Sequence, residues 1–186
     1  MITILRLKKG GICLAVAVLL SAVPTVAGQH SGSYSKALPA AKISRKDDRF
    51  LEDLSRRSFL YLWEQSDSVT GLTLDRTKTN GTRKPMREGH LMASSAATGF
   101  ALTGLCIAAD RNWISRKQAL DRARATLKFY AEASPHKEGW FYHFVDQANG
   151  KRHRNSEISS IDTALLLGGV LTAKQCFRKD KDIVRL

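Results

Sequence analysis

Four stretches of this chain place apolar residues at helical spacing, and they are of two kinds. In residues 50–66, Phe50, Leu51, Leu54, Tyr61 and Leu62 share one broad face, while Phe59, Leu60 and Trp63 add apolar cover on other sides. In residues 115–133, Leu120, Ala123, Leu127, Tyr130 and Ala131 form a single stripe surrounded by Arg116, Lys117, Asp121, Arg122 and Lys128. The stretches 94–110 and 159–177 differ: their bodies, SAATGFALTGLCIAA and ALLLGGVL, have no charged face. A helix that is apolar all round is predicted to be buried. Gly99 and Gly104 each cost about 1 kcal/mol against alanine in a helix interior. That cost is tolerable where the missing side chain lets a neighbouring helix come close.

Helix starts are also legible. Ser94 or Ser95 suits the cap of the second stretch. Ser115 with Gln118 fits a capping box, and Ser159 with Asp162 at the third helical position repeats the idea. Between the helices lie long polar segments at 67–93 and 134–158 and a short turn at Arg111-Asn112-Trp113. The second long segment contains GWFYHFVD, whose alternation sets Phe141, His143 and Val145 on one strand face and Trp140, Tyr142 and Phe144 on the other. Asp146 and Asn149-Gly150 read as a hairpin turn without chemistry of their own. Long loops leading into buried helices, with a short turn leading out to a half-exposed one, predict alternating inner and outer helices. The loops gather where the inner helices begin, and helix N-termini offer unpaired N–H groups to a polar ligand.

The N-terminal residues read as an export signal. Arg6, Lys8 and Lys9 precede an apolar run from Ile12 to Val23, too short to span a bilayer, and cleavage is expected near Ala27. The expectation is a periplasmic or secreted protein without stable membrane insertion, with residues 28–48 as a flexible tether. At the other end, 182–186 read as the first turn of a fifth helix, so residues 49–186 are expected to be part of a truncated domain with apolar surface left uncovered. The formal net charge of +13 comes from Lys and Arg scattered over every polar face. No nucleic-acid motif, zinc spacing, phosphate loop or nucleophile elbow occurs, so no nucleic-acid partner, metal or cofactor is expected. Cys106 and Cys176 read as small apolar residues of their helices, with a disulfide permitted but not required by spacing.

The runs SSAATGFALTGL, RNWISRKQAL, EGWFYHFVD and NSEISSIDTALLLGG resemble the bacterial glucoamylase-like domain family, which includes endo-β-1,2-glucanases and related β-glucan-active enzymes. The likeness extends from about Phe50 to Phe177 and is most specific over Phe141 to Gly169. It implies an all-α fold, part of an (α/α)6 toroid with a short β-hairpin in a loop. It further implies a glucan substrate hydrolysed with inversion, β-1,2-glucan being favoured. Such hydrolysis needs two carboxyl groups. Glu157 matches the glutamate of the family's motif and is the leading catalytic candidate; its alternative is to complement a helix dipole. Asp162 is either a second carboxylate of the site or part of the helix cap. Asp75 with Arg76, His143, Trp140 and Tyr142 are candidates for sugar binding, each with a structural alternative: a surface ion pair, a hydrogen-bonded core histidine, or packed aromatics. A non-catalytic sugar-binding remnant or an inactive fragment is the rival reading. Toroids acting on other substrates form a third class, which fold alone does not exclude.

Overall fold

The computed structural model describes residues 43–83, 85 and 89–186; the expected leader at 1–27 and most of the expected tether fall outside them. The order of elements is α1 (Arg45–Glu64), β1 (Met92–Ser94), α2 (Ser95–Asp110), α3 (Arg116–Glu132), β2 (His136–Lys137), β3 (Trp140–Phe141), β4 (Phe144–Asp146), α4 (Ser160–Cys176) and α5 (Lys181–Arg185). The protein is thus mostly helical with a few short strands. The four expected helices and the fifth start are all present. One boundary is corrected: α1 begins at Arg45, so residues 45–48 are helix rather than tether. Ser44 caps it by accepting from the Asp47 amide at 3.1 Å, and Asp47 and Asp48 complement the dipole in the first turn.

The centre of the structure is the contact between α2 and α4. A Cβ on Gly99 would overlap Leu165 O and Leu166 Cα, and one on Gly169 would overlap the backbone of Gly99. The two helices therefore meet backbone to backbone. Later along each helix Cys106 meets the Thr172 carbonyl, so they run parallel. Gly104 serves a different neighbour, because its Cβ would press on Leu62 and Phe59 of α1. Around this pair, Phe59, Leu102, Leu105, Ala119, Ala123, Leu127, Ala173, Phe177 and Ile183 form one core cluster. A smaller one joins Leu72, Ala93, Tyr130, Val145 and Leu166 beneath the loops. α3 buries its expected stripe through Ala123, Leu127 and Tyr130, and its capping box at Ser115 and Gln118 is formed.

Burial of α2 and α4 is one-sided, which corrects the expectation from their composition. Leu171 is 68 % exposed and Ile161 66 %, and Leu165, Leu167, Phe100 and Ile107 are also open. The first half of α1 is uncovered as well, with Phe50, Leu51 and Leu54 exposed, while Phe59 is its one fully buried residue among those described. Between α1 and α2 an apolar groove of about 550 Å³ is lined by Leu54, Leu62, Phe100, Thr103 and Ile107. No helix among the described residues is long and apolar enough to cross a membrane.

The strands pair in two small two-stranded sheets, β1 with β4 and β2 with β3. β1 and β4 are antiparallel, with Ala93 opposite Val145. Single bridges extend this row through Leu74 opposite Ala93 on one side, and Arg152 opposite Val145 and Ile158 opposite Tyr142 on the other. The hairpin turn expected at Asp146 and Asn149-Gly150 is formed, the Gly150 amide donating to Asp146 O at 2.8 Å with Val145 opposite Arg152, and β2–β3 is a second, unexpected hairpin, with Lys137 opposite Trp140 and turn residues Glu138 and Gly139 at positive φ. The GWFYHFVD run is not one strand: it bends at Tyr142-His143, so simple alternation fails there while Val145 remains buried.

The two kinds of glycine make a direct comparison. Gly99→Ala forces a methyl into the α4 backbone and is expected to lower stability by about 3 kcal/mol or more. Gly168→Ala, one residue before the crossing and facing open space, is expected to raise it by roughly 0.5–1 kcal/mol through helix propensity. Urea melts of the two variants check both signs.

Candidate active site

The candidate site is assembled by backbone bonds between the bent segment 141–146, the loop 147–159 and the starts of α2 and α4. The His143 amide donates to the Glu157 carbonyl at 3.0 Å, and the Ser95 amide, first in α2, donates to the His143 carbonyl at 3.1 Å. The Ser159 amide donates to Phe141 O at 3.1 Å. Side chains fasten the same joints. Ser95 Oγ donates to Tyr142 O at 2.7 Å, the Phe144 amide donates to Ser156 Oγ at 2.8 Å, and the Phe141 amide donates to Thr163 Oγ1 at 3.0 Å. Tyr130 stands behind Ser95 at 3.4 Å, and burial pushes its phenol up to about 12, so it stays a neutral donor.

This frame brings three predicted residues together. His143 Nδ1 lies 2.8 Å from Glu157 Oε1, and its Nε2 lies 3.6 Å from Asp162 Oδ1. The second separation is within ion-pair range but long for a hydrogen bond. With Glu157 ionised, Nδ1 carries the donated proton. Asp162 is buried and makes the expected cap. Ser159 Oγ donates to its carboxylate and accepts from its amide at 3.2 Å, completing the cap of α4, while the other carboxylate oxygen faces His143. The imidazole therefore bridges a buried carboxylate and an open one, since the Glu157 side chain is 65 % exposed. The glutamate's carboxyl is held below its usual range by its own backbone N–H first, then by His143, with a smaller contribution from Arg152.

The remaining predicted residues sit elsewhere. Asp75 pairs with Arg76 and its amide donates to Met92 O, at the level of Asp146 and across β1 and β4 from Glu157. Its charge acts on Tyr61, whose phenol is raised mainly by burial and next by Asp75. Trp140 is exposed at the β2–β3 hairpin. Tyr142 is half-buried under the Arg152 guanidinium, 5.3 Å from the ring centroid. A cavity of about 520 Å³ lies at the 146–154 turn, walled by His90, Asp146, Lys151, Arg152, His153 and Arg154 and not by the trio. His90 bonds Asp146, which is more than the bare turn expected at that position. The KRHR run at 151–154 was the signal for this basic wall. Ser95, Ser156 and Arg152 also belong to the frame, and nothing in their local sequence distinguishes them from ordinary loop and cap residues. No cluster of three or more His, Cys, Asp or Glu side chains able to hold a metal occurs among the described residues.

No family model matches the chain. It is 24% identical over 153 residues to the exo-β-1,2-glucooligosaccharide sophorohydrolase (non-reducing end) of Parabacteroides distasonis, a match that takes in 80% of this chain and 20% of that protein. The solved endo-β-1,2-glucanase from Chitinophaga pinensis, a complex with sophorotriose and glucose, superimposes with a TM-score of 0.66 at 21% identity, covering 77% of this chain and 34% of that one. A β-1,2-glucanase from Parabacteroides distasonis does so with a TM-score of 0.62 at 22% identity, covering 77% and 20%. The chain spans about a fifth of the length of the curated relative and at most about a third of these solved chains. The resemblance read from Phe141–Gly169 is borne out by these relatives, and the fold is shared with them.

The His143 contact has a measurable consequence. In a carboxyl-carbon NMR titration Glu157 is expected to titrate below the ordinary glutamate range, and His143→Ala should move it upward. Because the folded value lies below the unfolded one, the interaction stabilises the fold above the unfolded pKa and is lost as pH falls through the folded one. His143→Ala should therefore flatten the acid limb of a stability–pH profile; an unchanged Glu157 titration would remove the contact from the account.

Proposed function

We propose that this chain contributes part of the sugar cleft of an exported glycoside hydrolase acting on β-1,2-glucan with inversion. In this reading its helices are successive outer and inner members of an (α/α)6 toroid. Two observations support it: the relatives are named for β-1,2-glucan chemistry, and His143, Glu157 and Asp162 converge where α2 and α4 begin. The convergence carries the reading, because it aims a carboxylate, an imidazole and two helix N-termini at one surface.

Glu157 is the group that meets the sugar. Its lowered pKa suits the anion, which accepts a proton from water or a hydroxyl; it does not suit a donor to the leaving oxygen. His143 holds that anion, and Asp162, fixed by Ser159, holds His143. Asp162 is thereby a positioning carboxylate, and the second carboxyl group of an inverting pair, roughly 6.5–9.5 Å from the first, is left to another residue. Trp140 offers a ring face to a pyranose. Asp75 with Arg76, across the sheet, would line a more distant subsite. The N-terminal leader supports export to the periplasm or outside the cell.

A second reading, sugar binding without hydrolysis, draws on the exposure of Glu157: an open carboxylate lacks the dry surroundings that make charge work in catalysis. Release of reducing ends from β-1,2-glucan separates the two. Under the first, Glu157→Gln made in a full-length version should cut turnover by at least about 10²-fold; near-normal turnover of that variant removes Glu157 from the chemistry. Under the second, the wild-type chain releases nothing, yet β-1,2-glucooligosaccharides shift the NMR resonances of His143 and Trp140. Silence in both measurements sinks both readings.

A further inference from the structure

The glycine crossing sets up a second meeting further along the same two helices. Cys106 follows Gly99 by seven residues on α2, and Cys176 follows Gly169 by seven on α4. Seven residues is two turns less about 20°, and advances about 10 Å, so each cysteine lies almost directly above its glycine. Because the helices run parallel, the two cysteines reach the same station on facing sides. One contact agrees with this register. Cys106 Sγ donates to the Thr172 carbonyl at 3.9 Å, one turn before Cys176. Both thiols are free and only partly buried. Ordinary helix pairs hold their axes about 8–10 Å apart; a backbone-to-backbone crossing brings Cα atoms toward the roughly 4.4–6.8 Å that a disulfide requires.

We propose that Cys106 and Cys176 are a disulfide site that covalently ties α2 to α4, formed by exchange with a small-molecule or protein disulfide. Burial pushes the Cys106 thiol upward, which disfavours its thiolate as the first attacker. The Cys176 thiolate attacks the external disulfide, forming a mixed disulfide and releasing one thiolate. Cys106, losing its proton as it reacts, then attacks the Cys176 sulfur and releases the second. Two protein thiols are oxidised, one external disulfide is reduced to two thiols, and the two protons pass to them. The bond closes a loop of about 70 residues that contains α3, β2, β3, β4 and the Glu157 loop, and it fixes the spacing of the helices whose first turns hold His143. This proposal stands apart from the sugar chemistry and is tested without it.

The full chain is equilibrated with glutathione and glutathione disulfide, remaining thiols are alkylated, and a tryptic digest is mapped by mass without reduction. The expected product is peptide 88–111 joined to peptide 175–178. It should be accompanied by a rise in Tm on the order of 10 °C, which dithiothreitol reverses and Cys106→Ser lacks. Alkylation of both cysteines at oxidised equilibrium, separate glutathione adducts on each, or pairing of either with Cys13 would overturn it; the peptide map reads these outcomes even where a serine variant folds poorly.

Discussion

The backbone contact between Gly99 and Gly169 is the constraint on which the other features depend. With no Cβ at either position, α2 and α4 come closer than side chains would permit. That approach sets the register of both helices and hence the level of their N-termini. Ser95 opens α2 and Ser159 caps α4, and both reach the same bent segment, one at His143 O and the other through its amide at Phe141 O. A shift of one residue along either helix would carry one of these donors off by about 1.5 Å and around by about 100°, and the segment between them would lose an anchor. The position of His143 is therefore decided by two glycines distant from it in the sequence.

The frame around His143 is made of groups that helices must satisfy in any case. An N-terminus leaves amides unpaired, and serine hydroxyls are the usual remedy. Here the remedy is shared with the site. Ser159 caps α4 and holds the Asp162 carboxylate, while Ser95 holds Tyr142 O and receives the Tyr130 phenol. Buried partners of this kind lock rotamers without adding flexible charge, so the imidazole is oriented by groups that have little freedom to move. The variable member is Glu157, which reaches out from the loop toward solvent.

What was legible in the sequence follows from this division. Helix existence and caps were readable because both are local: the Ser115–Gln118 box and the Ser159–Asp162 pair formed as their spacing implied. The start of α1 was missed although Ser44 and Asp47 carry the same kind of signal, because the flanking lysines and arginines masked it. Apolarity all round was read as burial, yet Leu171 and Ile161 lie open, since composition tells what a face would prefer and not whether a neighbour covers it. Position and resemblance mark His143, Glu157 and Asp162 each singly. Their convergence was not readable, because it depends on the bend at Tyr142-His143 that breaks the strand alternation. The distance from Asp75 to this group was hidden for a related reason: strand register across β1 is a long-range property.

The open apolar faces and the open carboxylate have the same physical character, and they bear on each other. Water now solvates Glu157, so its contact with His143 acts in a high effective dielectric. Covering the faces of α2 and α4 with protein or ligand would remove water near their N-terminal ends as well. Two terms would then change in opposite directions: desolvation would push the Glu157 carboxyl up, and the attraction of an imidazolium or of Arg152 would strengthen and pull it down. With His143 at 2.8 Å and donating, the second term has a partner already in place, so covering sharpens the difference between a bonded Glu157 and one without His143. In the cleft proposed for this chain, the same cover would make the imidazole decisive for whether this carboxyl group accepts a proton or gives one.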